Sequence, residues 1–342
     1  MKILPTSLFF ICALVSVAIA QSHVPVYYNK DHSDLQLQNI PGSNLFVGIQ
    51  DRNKDIEATA VETDDAIELK IGEQTVLKYN KSTQTGPEGT EPHFARSGYI
   101  HPVYNPDGQA VTGDFAADHK HQHALFFAWT RCKFEGKKVE FWNQKLELGR
   151  VAHSKVISTT SGPVFAQFVV ELSWAGTKAN VPILEETWTV RAYNTGADFF
   201  LFDVESSQQA AGESPLTIEK YHYGGMAIRG HDQWFGEDAN FLTDEGKNRK
   251  NGNHSRPKWV DIFGHIDGKH SGVAVLSHPS NFRFPQHVRL HPEKPYFCFA
   301  PMVEEPFEIT NNEAYVSRYR YLVHTGEVDV DLINKHWDAY SN

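Results

Sequence analysis

Three histidines stand at alternate positions, His119, His121 and His123, just before an apolar run in the stretch DHKHQHALFFAW, residues 118–129. Because an imidazole titrates near neutrality, it can donate, accept or carry a proton. Alternate residues of an extended strand share one face, so the three rings are predicted to lie together where a strand enters the core. We expect Asp118 to orient one of these histidines.

Metal binding by this stretch is limited by the length of a strand. Alternate residues lie about 6.7 Å apart, so the outer two of the three would be about 13 Å apart. With a Zn–N bond of about 2.0 Å, the two neighbours His119 and His121 can bind one ion together. A further ligand would have to come from another part of the chain, for example from His101. Three readings stay open: acid/base or hydroxyl-binding histidines of a sugar site, a divalent metal site, or hydrogen-bonded histidines without an ion. No cofactor is firmly predicted.

A second candidate segment is Tyr221-His222-Tyr223-Gly224-Gly225, which is followed by Arg229. Its glycines permit close backbone approach, and its aromatic side chains are able to stack on a sugar ring. A core strand that ends in a Gly-Gly turn explains the same letters.

Further residues complete the predicted sugar-binding set. Trp129 is one of several tryptophans that could form a platform for a sugar, although most tryptophans of a large sandwich lie in the core. His278 and Asn281 follow a predicted strand and are placed at the edge of the site.

Ordinary two-acid glycoside hydrolysis is not visible in the sequence. It needs two carboxylates on one site, but the adjacent pairs Glu185-Glu186 and Glu304-Glu305 point to opposite faces of a strand. The chain also lacks a G-x-S-x-G elbow, a P-loop and an H-E-x-x-H helix.

Composition restricts the partners and the compartment. The formal net charge is -10, without a basic stripe, which argues against nucleic acid as a partner.

An apolar stretch from Leu8 to Val17 leads to Ala18-Ile19-Ala20 and predicts a signal peptide that is cleaved near Ala20. We therefore expect a secreted or periplasmic protein without membrane insertion. Two cysteines remain, Cys132 and Cys298, for which two buried thiols are slightly favoured over one bridge.

Alternating β-branched, aromatic and polar residues predict an all-β protein. The clearest strands are Pro163–Trp174, Ile183–Tyr193, Phe199–Ser206, Ser271–His278 and Tyr315–His324, and a short helix is predicted over Val330–Tyr340. Strands of this length favour a large antiparallel two-sheet β-sandwich with a short C-terminal helix. The predicted organisation is a signal peptide (1–20), a small N-terminal β unit packed on or continuous with the main body (21–85), and the main sandwich (93–342).

Seven motifs in order, spread over roughly residues 96–340, resemble a bacterial family that carries a methane-oxygenase, or PmoA-like, label. They are YIHPVYNPDG, DHKHQHALFFAW, VEFWNQ, YGGMAIRG, WVDIFGHIDG, VAVLSHPSN and YRYLVHTGE. We discount the label itself, because a membrane oxygenase subunit needs spanning segments that the mature chain lacks. The resemblance implies a supersandwich similar to galactose mutarotase, and it implies carbohydrate substrates.

Carried over by position, the family's Asp-His-x-His falls on Asp118, His119 and His121. Its Gly-Gly-x-x-x-Arg falls on Gly224, Gly225 and Arg229, and its His-Pro-x-Asn falls on His278, Pro279 and Asn281. Two positions depart from the pattern: Lys120 replaces the usual proline, and Tyr223 stands where many members have a glutamate. If that glutamate is a base elsewhere, Tyr221, His222 or Tyr223 must replace it here.

The combined prediction is an exported carbohydrate-active enzyme that takes part in polysaccharide degradation and cleaves or rearranges a glycoside by proton transfer, as a lyase or a hydrolase. His119, His121, Asp118, Tyr223 and His222 form the predicted catalytic group. The predicted substrate-binding residues are Arg229, His278, Asn281, His123, Tyr221, Trp129 and His101. Two alternatives remain: a non-catalytic carbohydrate-binding protein, and a metal-dependent enzyme that uses His119 and His121.

Overall fold

The structure, a computed structural model, describes residues 56–177, 180–196, 198–236 and 239–341. The predicted signal peptide (1–20) and residues 21–55 of the predicted N-terminal unit lie outside the described residues. Strands dominate the described part of the chain, and its one α-helix, α1 (Val330–Ser341), stands at the C-terminal end.

The strands are numbered in chain order. The first ten are β1 (Ala58–Glu62), β2 (Ala66–Ile71), β3 (Gln74–Asn80), β4 (Tyr99–Val103), β5 (Leu125–Ala128), β6 (Cys132–Phe134), β7 (Lys137–Val139), β8 (Arg150–Thr160), β9 (Phe165–Gly176) and β10 (Val181–Tyr193). The others are β11 (Phe199–Ala210), β12 (Leu216–Ile218), β13 (Gly225–Arg229), β14 (Ala239–Thr243), β15 (Trp259–Ile266), β16 (Lys269–Ser277), β17 (Val288–Leu290), β18 (Tyr296–Phe299), β19 (Phe307–Ile309) and β20 (Tyr315–Thr325).

Two eight-stranded antiparallel sheets and one smaller sheet make up the fold. The first sheet has the order β1-β2-β3-β4-β5-β13-β18-β17, and the second has the order β14-β15-β16-β20-β11-β10-β9-β8. A four-stranded sheet, β19-β12-β6-β7, completes the set. The all-β prediction with large antiparallel sheets and a short C-terminal helix is therefore confirmed.

The main core lies between the two large sheets. Alternate residues of β9, such as Phe168, Val170 and Leu172, are fully buried, as the period of two in the sequence requires. Across the sheets the ring of Phe127 packs 6.3 Å from the ring of Trp174, and Phe299 stacks on Tyr319 at 5.0 Å. These contacts fix which face of the first sheet looks inward.

The N-terminal strands are continuous with the main body. Strand β3 pairs with β4 in the first sheet, with Tyr79 opposite Ile100 and Leu77 opposite Val103. The segment that follows β3 is tied down by backbone hydrogen bonds in both directions between Gln84 and Arg96. Strands β1 to β3 thus form one edge of the first sheet.

One local prediction is wrong: the histidine stretch is not a strand. The amide of His119 donates to the carbonyl of Ala116, and the amide of Gln122 donates to the carbonyl of His119, both at 2.9 Å. These are tight turns, and β5 begins only at Leu125, after Ala124 with a positive φ of 51°. Of the three histidines only His123 pairs with another segment, in an isolated antiparallel bridge to Asp114.

Both described cysteines, Cys132 and Cys298, are buried free thiols. Among the residues that the structure covers, no helix has the length and apolar character needed to cross a bilayer.

Candidate active site

The candidate site lies on the face of the first sheet that points away from the second sheet. Since Phe127 and Phe299 point into the core, the residues one position away on the same strands point outward. In β13 this outward set includes Arg229, whose strand partner in β18 is Tyr296. We call this surface the outer face.

The turns at residues 116–122 carry Asp118 onto the outer face, where its carboxylate is shared among three donors. Arg229 Nη2 lies 3.1 Å from Asp118 Oδ1, while Lys294 Nζ and His119 Nδ1 lie 3.0 Å and 2.9 Å from Oδ2. We call Asp118, His119, Arg229 and Lys294 the Asp118 cluster. It brings together segments that are more than 100 positions apart in the chain, as the 111-residue separation of Asp118 and Arg229 shows.

The carboxyl of Asp118 is held ionised. Its partial burial would raise its pKa, but the hydrogen bond from His119 and the charges of Arg229 and Lys294 lower the pKa well below its usual range. An ionised carboxylate only accepts hydrogen bonds, so His119 Nδ1 must carry a proton. The other nitrogen of His119, Nε2, is then the one that can take a proton from a substrate, and the side chain is 29% exposed.

Arg229 lies beneath the pair Asp118 and His119, on the side of the first sheet. Its side chain is 0% exposed, and Nη1 donates to Gln122 Oε1 at 2.9 Å. Phe235 lies beside both cations, 5.5 Å from the guanidinium of Arg229 and 5.2 Å from Lys294 Nζ. Because the guanidinium is buried, Arg229 is placed to position Asp118 and Gln122 more than to reach a ligand.

Two more histidine rings flank His119. The ring centroids of His121 and His291 lie 5.4 Å and 5.7 Å from that of His119. Burial, followed by the charge of neighbouring groups, lowers the pKa of His121 to about 3 and that of His291 to about 4. Both rings are therefore neutral at pH 7, and no hydrogen bond joins the His121 ring to the described residues.

His291 and Lys294 are members of the site that sequence reasoning missed. Nδ1 of His291 accepts hydrogen bonds from the amides of Glu293 and Lys294 at 3.2 Å and 3.0 Å, so its proton is on Nε2. The signal was the polar turn HPEKP between two short strands. Nothing in the local pattern ties that turn to the histidine stretch.

His123 and His101 are hydrogen-bonded inside the protein. His123 is fully buried, with Nδ1 2.9 Å from Asp114 Oδ1 and Nε2 2.9 Å from Gln144 Oε1. His101 Nδ1 lies 3.1 Å from Thr112 Oγ1, and burial lowers the pKa of the His101 ring. These two residues fix the loops of the outer face, and the structure gives their predicted substrate contacts no support.

Tyr221, His222 and Tyr223, which we call the aromatic triplet, make no direct contact with the Asp118 cluster among the described residues, but a series of ring contacts connects the two. The ring of Tyr223 is 5.2 Å from that of Trp142, which is 5.7 Å from Tyr296. Tyr296 in turn lies 6.1 Å from His291. A chain of ring contacts thus joins the triplet to His291, and burial raises the pKa of Tyr223, which keeps its hydroxyl protonated at neutral pH.

The other predicted binding residues lie elsewhere. Trp129 is fully buried in the core, and its indole nitrogen donates to Gln208 Oε1 at 2.7 Å. His278 follows β16 of the second sheet and packs 4.8 Å from the ring of Tyr340 in α1. Asn281 is buried and accepts from the amide of Arg318 at 2.7 Å. The structure does not bring these three residues to the Asp118 cluster. The strand-and-turn pattern that suggested them could not indicate this, because it gives no information on which sheet they join.

The described residues contain no group of three or more His, Cys, Asp or Glu side chains arranged to hold a metal ion. In the pair His119 and His121, one nitrogen of His119 is already bound to Asp118. A separate cavity of about 340 Å³ lies between residues 83–97 and 144–152, but none of the Asp118 cluster lines it. We place the candidate site at the Asp118 cluster because the groups with acid/base chemistry converge there.

The chain belongs to the DUF6807 family, a family of unknown function, whose model matches residues 66–338. The family match carries no methane-oxygenase label. No curated protein was found that matches the sequence.

Two solved structures match the chain at low similarity. Heparan sulfate lyase HepC of Pedobacter heparinus is 11% identical, with a TM-score of 0.38 over 80% of this chain, which spans only 37% of that lyase. A candidate mutarotase (YeaD) of Salmonella typhimurium is 9% identical, with a TM-score of 0.35 over 81% of this chain and 96% of its own. Values this low carry no argument about activity.

Proposed function

We propose that this DUF6807 protein is an exported carbohydrate-active enzyme that cleaves or rearranges a glycoside by proton transfer at His119. The observation that carries the proposal is the 2.9 Å contact between Asp118 Oδ2 and His119 Nδ1. Asp118 fixes the ring and its tautomer, as a carboxylate does for a catalytic histidine, and leaves Nε2 as a base.

Elimination fits these groups better than two-carboxylate hydrolysis. In elimination His119 takes a ring proton, the electron pair forms a double bond, and the bond to the departing oxygen breaks. The departing oxygen needs a proton, for which the Tyr223 hydroxyl is the proposed donor, since a phenol is protonated at neutral pH. Hydrolysis by two acids needs one carboxyl that is neutral, whereas Asp118 is held ionised by its three donors.

The first test is incubation of the purified wild-type protein with a panel of neutral and uronate-containing oligosaccharides. We expect turnover of at least one glycoside, accompanied by the ultraviolet absorbance of an unsaturated uronate. New reducing ends without that absorbance would show hydrolysis instead of elimination. A panel in which no glycoside is turned over would contradict the proposed enzyme activity.

Carbohydrate binding without turnover is the second candidate, and the free ring of His121 favours it. That ring makes no hydrogen bond with the described residues and is neutral, so it can both donate to and accept from a sugar hydroxyl. For a binding protein, His121→Ala weakens sugar binding while the wild type shows no turnover. Turnover by the wild type rejects this candidate.

A further inference from the structure

Arg289 is a cation on the outer face that has no partner in the described part of the chain. It lies in β17 directly opposite Cys298 of β18. Cys298 is two residues from Tyr296, so Arg289 shares the outer face with Tyr296 and Arg229. The residue is half-buried.

The lack of a partner distinguishes Arg289 from Arg318, which is also half-buried and lies 2.7 Å from the carboxylate of Glu205. The fully buried Arg229 and Arg320 also each have a carboxylate within 3.1 Å. Within the described residues, the guanidinium of Arg289 has neither a hydrogen bond nor an ion pair. A partly desolvated, unpaired guanidinium costs folding free energy, and this cost is offset when an anion binds it.

The surroundings of Arg289 are also suited to an anion. The amide of His254 donates to the carbonyl of Val288, the residue before Arg289, at 2.7 Å, and His291 follows Arg289 by two residues. Burial and then the charge of Arg289 lower the pKa of the His222 and His291 rings, and both also lower that of His254. Imidazole N–H groups and a guanidinium are hydrogen-bond donors for the oxygens of a carboxylate or a sulfate.

This place is continuous with the Asp118 cluster. The ring of His291 lies 5.7 Å from that of His119. After burial, the charges of Arg289 and His119 both lower the pKa of His291. The ring of Tyr296 lies 6.1 Å from that of His291. Burial raises the pKa of Tyr296, and the charge of Arg289 opposes this rise. A group bound at Arg289 would therefore belong to the same ligand as a sugar at His119, or to the next sugar along a chain.

We propose that Arg289, with His222 and His254, binds an oxyanion of the substrate, so that the substrate is an acidic saccharide bearing a carboxylate or a sulfate. This inference rests on the proposed function, because it names the substrate class of the same site. An arginine pairs with such an oxyanion through two parallel N–H donors, which a neutral hydroxyl cannot match in strength.

The test compares the affinity of acidic and neutral saccharides for the purified full-length protein by calorimetry. The carboxylate arm uses oligogalacturonate and its carboxyl-reduced, neutral form. The sulfate arm uses sulfated dextran oligomers and plain dextran oligomers of the same length. We expect the acidic member of one pair to bind on the order of tenfold or more tightly, and the arm in which this occurs identifies the oxyanion.

Three variants assign the preference to Arg289. Arg289→Gln is expected to lose the advantage of the acidic ligand, on the order of tenfold, while Arg289→Lys keeps part of it. Arg150→Gln, at an exposed arginine of β8, is the matched control and should bind like the wild type. Thermal unfolding of each variant confirms that it is folded.

The inference is overturned if neither acidic ligand binds more tightly than its neutral partner, or if folded Arg289→Gln retains the full preference. Failure of the proposed function looks different: acidic saccharides bind through Arg289, yet no glycoside is turned over. Turnover confined to neutral glycosides, at an unchanged rate in Arg289→Gln, overturns the substrate class alone.

Discussion

At the scale of single residues, the chemistry depends on how one carboxylate is shared. Asp118 accepts hydrogen bonds from a buried arginine, a lysine and the imidazole of His119, at 2.9 to 3.1 Å. The hydrogen bond from His119 and the two cations keep the carboxylate ionised, and the ionised carboxylate fixes the proton of His119 on Nδ1. The reactive nitrogen of His119 is thus determined by groups that need not touch a substrate.

Replacement of Asp118 by asparagine tests this dependence. In Asp118→Asn the amide neither fixes the tautomer of His119 nor neutralises Arg229, so we expect turnover to fall, by at least about tenfold. We also expect the free energy of unfolding to fall by roughly 1–3 kcal/mol, since Arg229 loses a charged partner. Kinetics and urea unfolding measure the two effects. Asp338→Asn, in the terminal helix, serves as the control for a surface carboxylate, and wild-type turnover in Asp118→Asn would refute the role of Asp118.

At the scale of secondary-structure elements, the sequence predicted the long strands well and the histidine stretch badly. Strands such as β9 and β10 bury every second residue over most of their length, so the pattern and the structure have the same cause. In residues 118–122 the alternation of histidines has another cause. The turns there are held by long-range contacts, such as Asp118 with Arg229, that no local pattern contains.

Strand β13 shows how an element sets the position of a site residue. It begins at Gly225, with a φ of +101°, where an added Cβ would lie 2.5 Å from the carbonyl oxygen of Phe299 in β18. The close approach predicted for the Gly-Gly pair is therefore to a neighbouring strand. Four residues further on, the same strand presents Arg229 to Asp118.

Gly225→Ala should disturb this strand. The backbone conformation and the contact with Phe299 both oppose a side chain, so we expect the free energy of unfolding to fall by about 1–3 kcal/mol, with weaker activity because Arg229 moves. Gly212→Ala is the control, because an added Cβ there meets no atom within 4 Å. Urea unfolding of both variants is the measurement, and equal stability of Gly225→Ala and the wild type would contradict this account.

At the scale of the whole molecule, the two large sheets bring distant segments to one face. The sequence indicated Asp118, His119, His121 and Arg229, because their residue types are reactive and stand in motifs. It did not indicate His291, Lys294 or the unpaired Arg289, since their significance comes only from the order of strands β13, β18 and β17 in the first sheet. Strand order depends on tertiary pairing, which the residue pattern along one strand does not encode.

The whole fold should lose stability in mild acid. Burial lowers the pKa of His121 to about 3 and the pKa values of His291 and His336 to about 4, while the same side chains in the unfolded chain titrate near 6.5. Below pH 6.5 the unfolded state therefore binds protons that the folded state does not. Stability is fully present above pH 6.5 and falls with pH towards the folded pKa values, by about 1 kcal/mol for each of His121 and His336 between pH 6.5 and 5.5. The more exposed His291 contributes less, because solvent screens its interactions.

Urea unfolding at pH 6.5 and 5.5 measures this loss. His121→Asn should reduce it by roughly 1 kcal/mol, because one buried titrating ring is removed. His265→Asn, at an exposed histidine of β15, should leave it unchanged. An acid-induced loss of equal size in His121→Asn and the wild type would show that His121 is not held neutral.

The central claim, proton transfer by His119, is tested most directly by the turnover of His119→Ala on the glycoside that the panel identifies. Our account predicts a fall in kcat on the order of 10² to 10⁴-fold, with little change in sugar affinity, while His265→Ala turns over like the wild type. A wild-type kcat in folded His119→Ala would contradict the account.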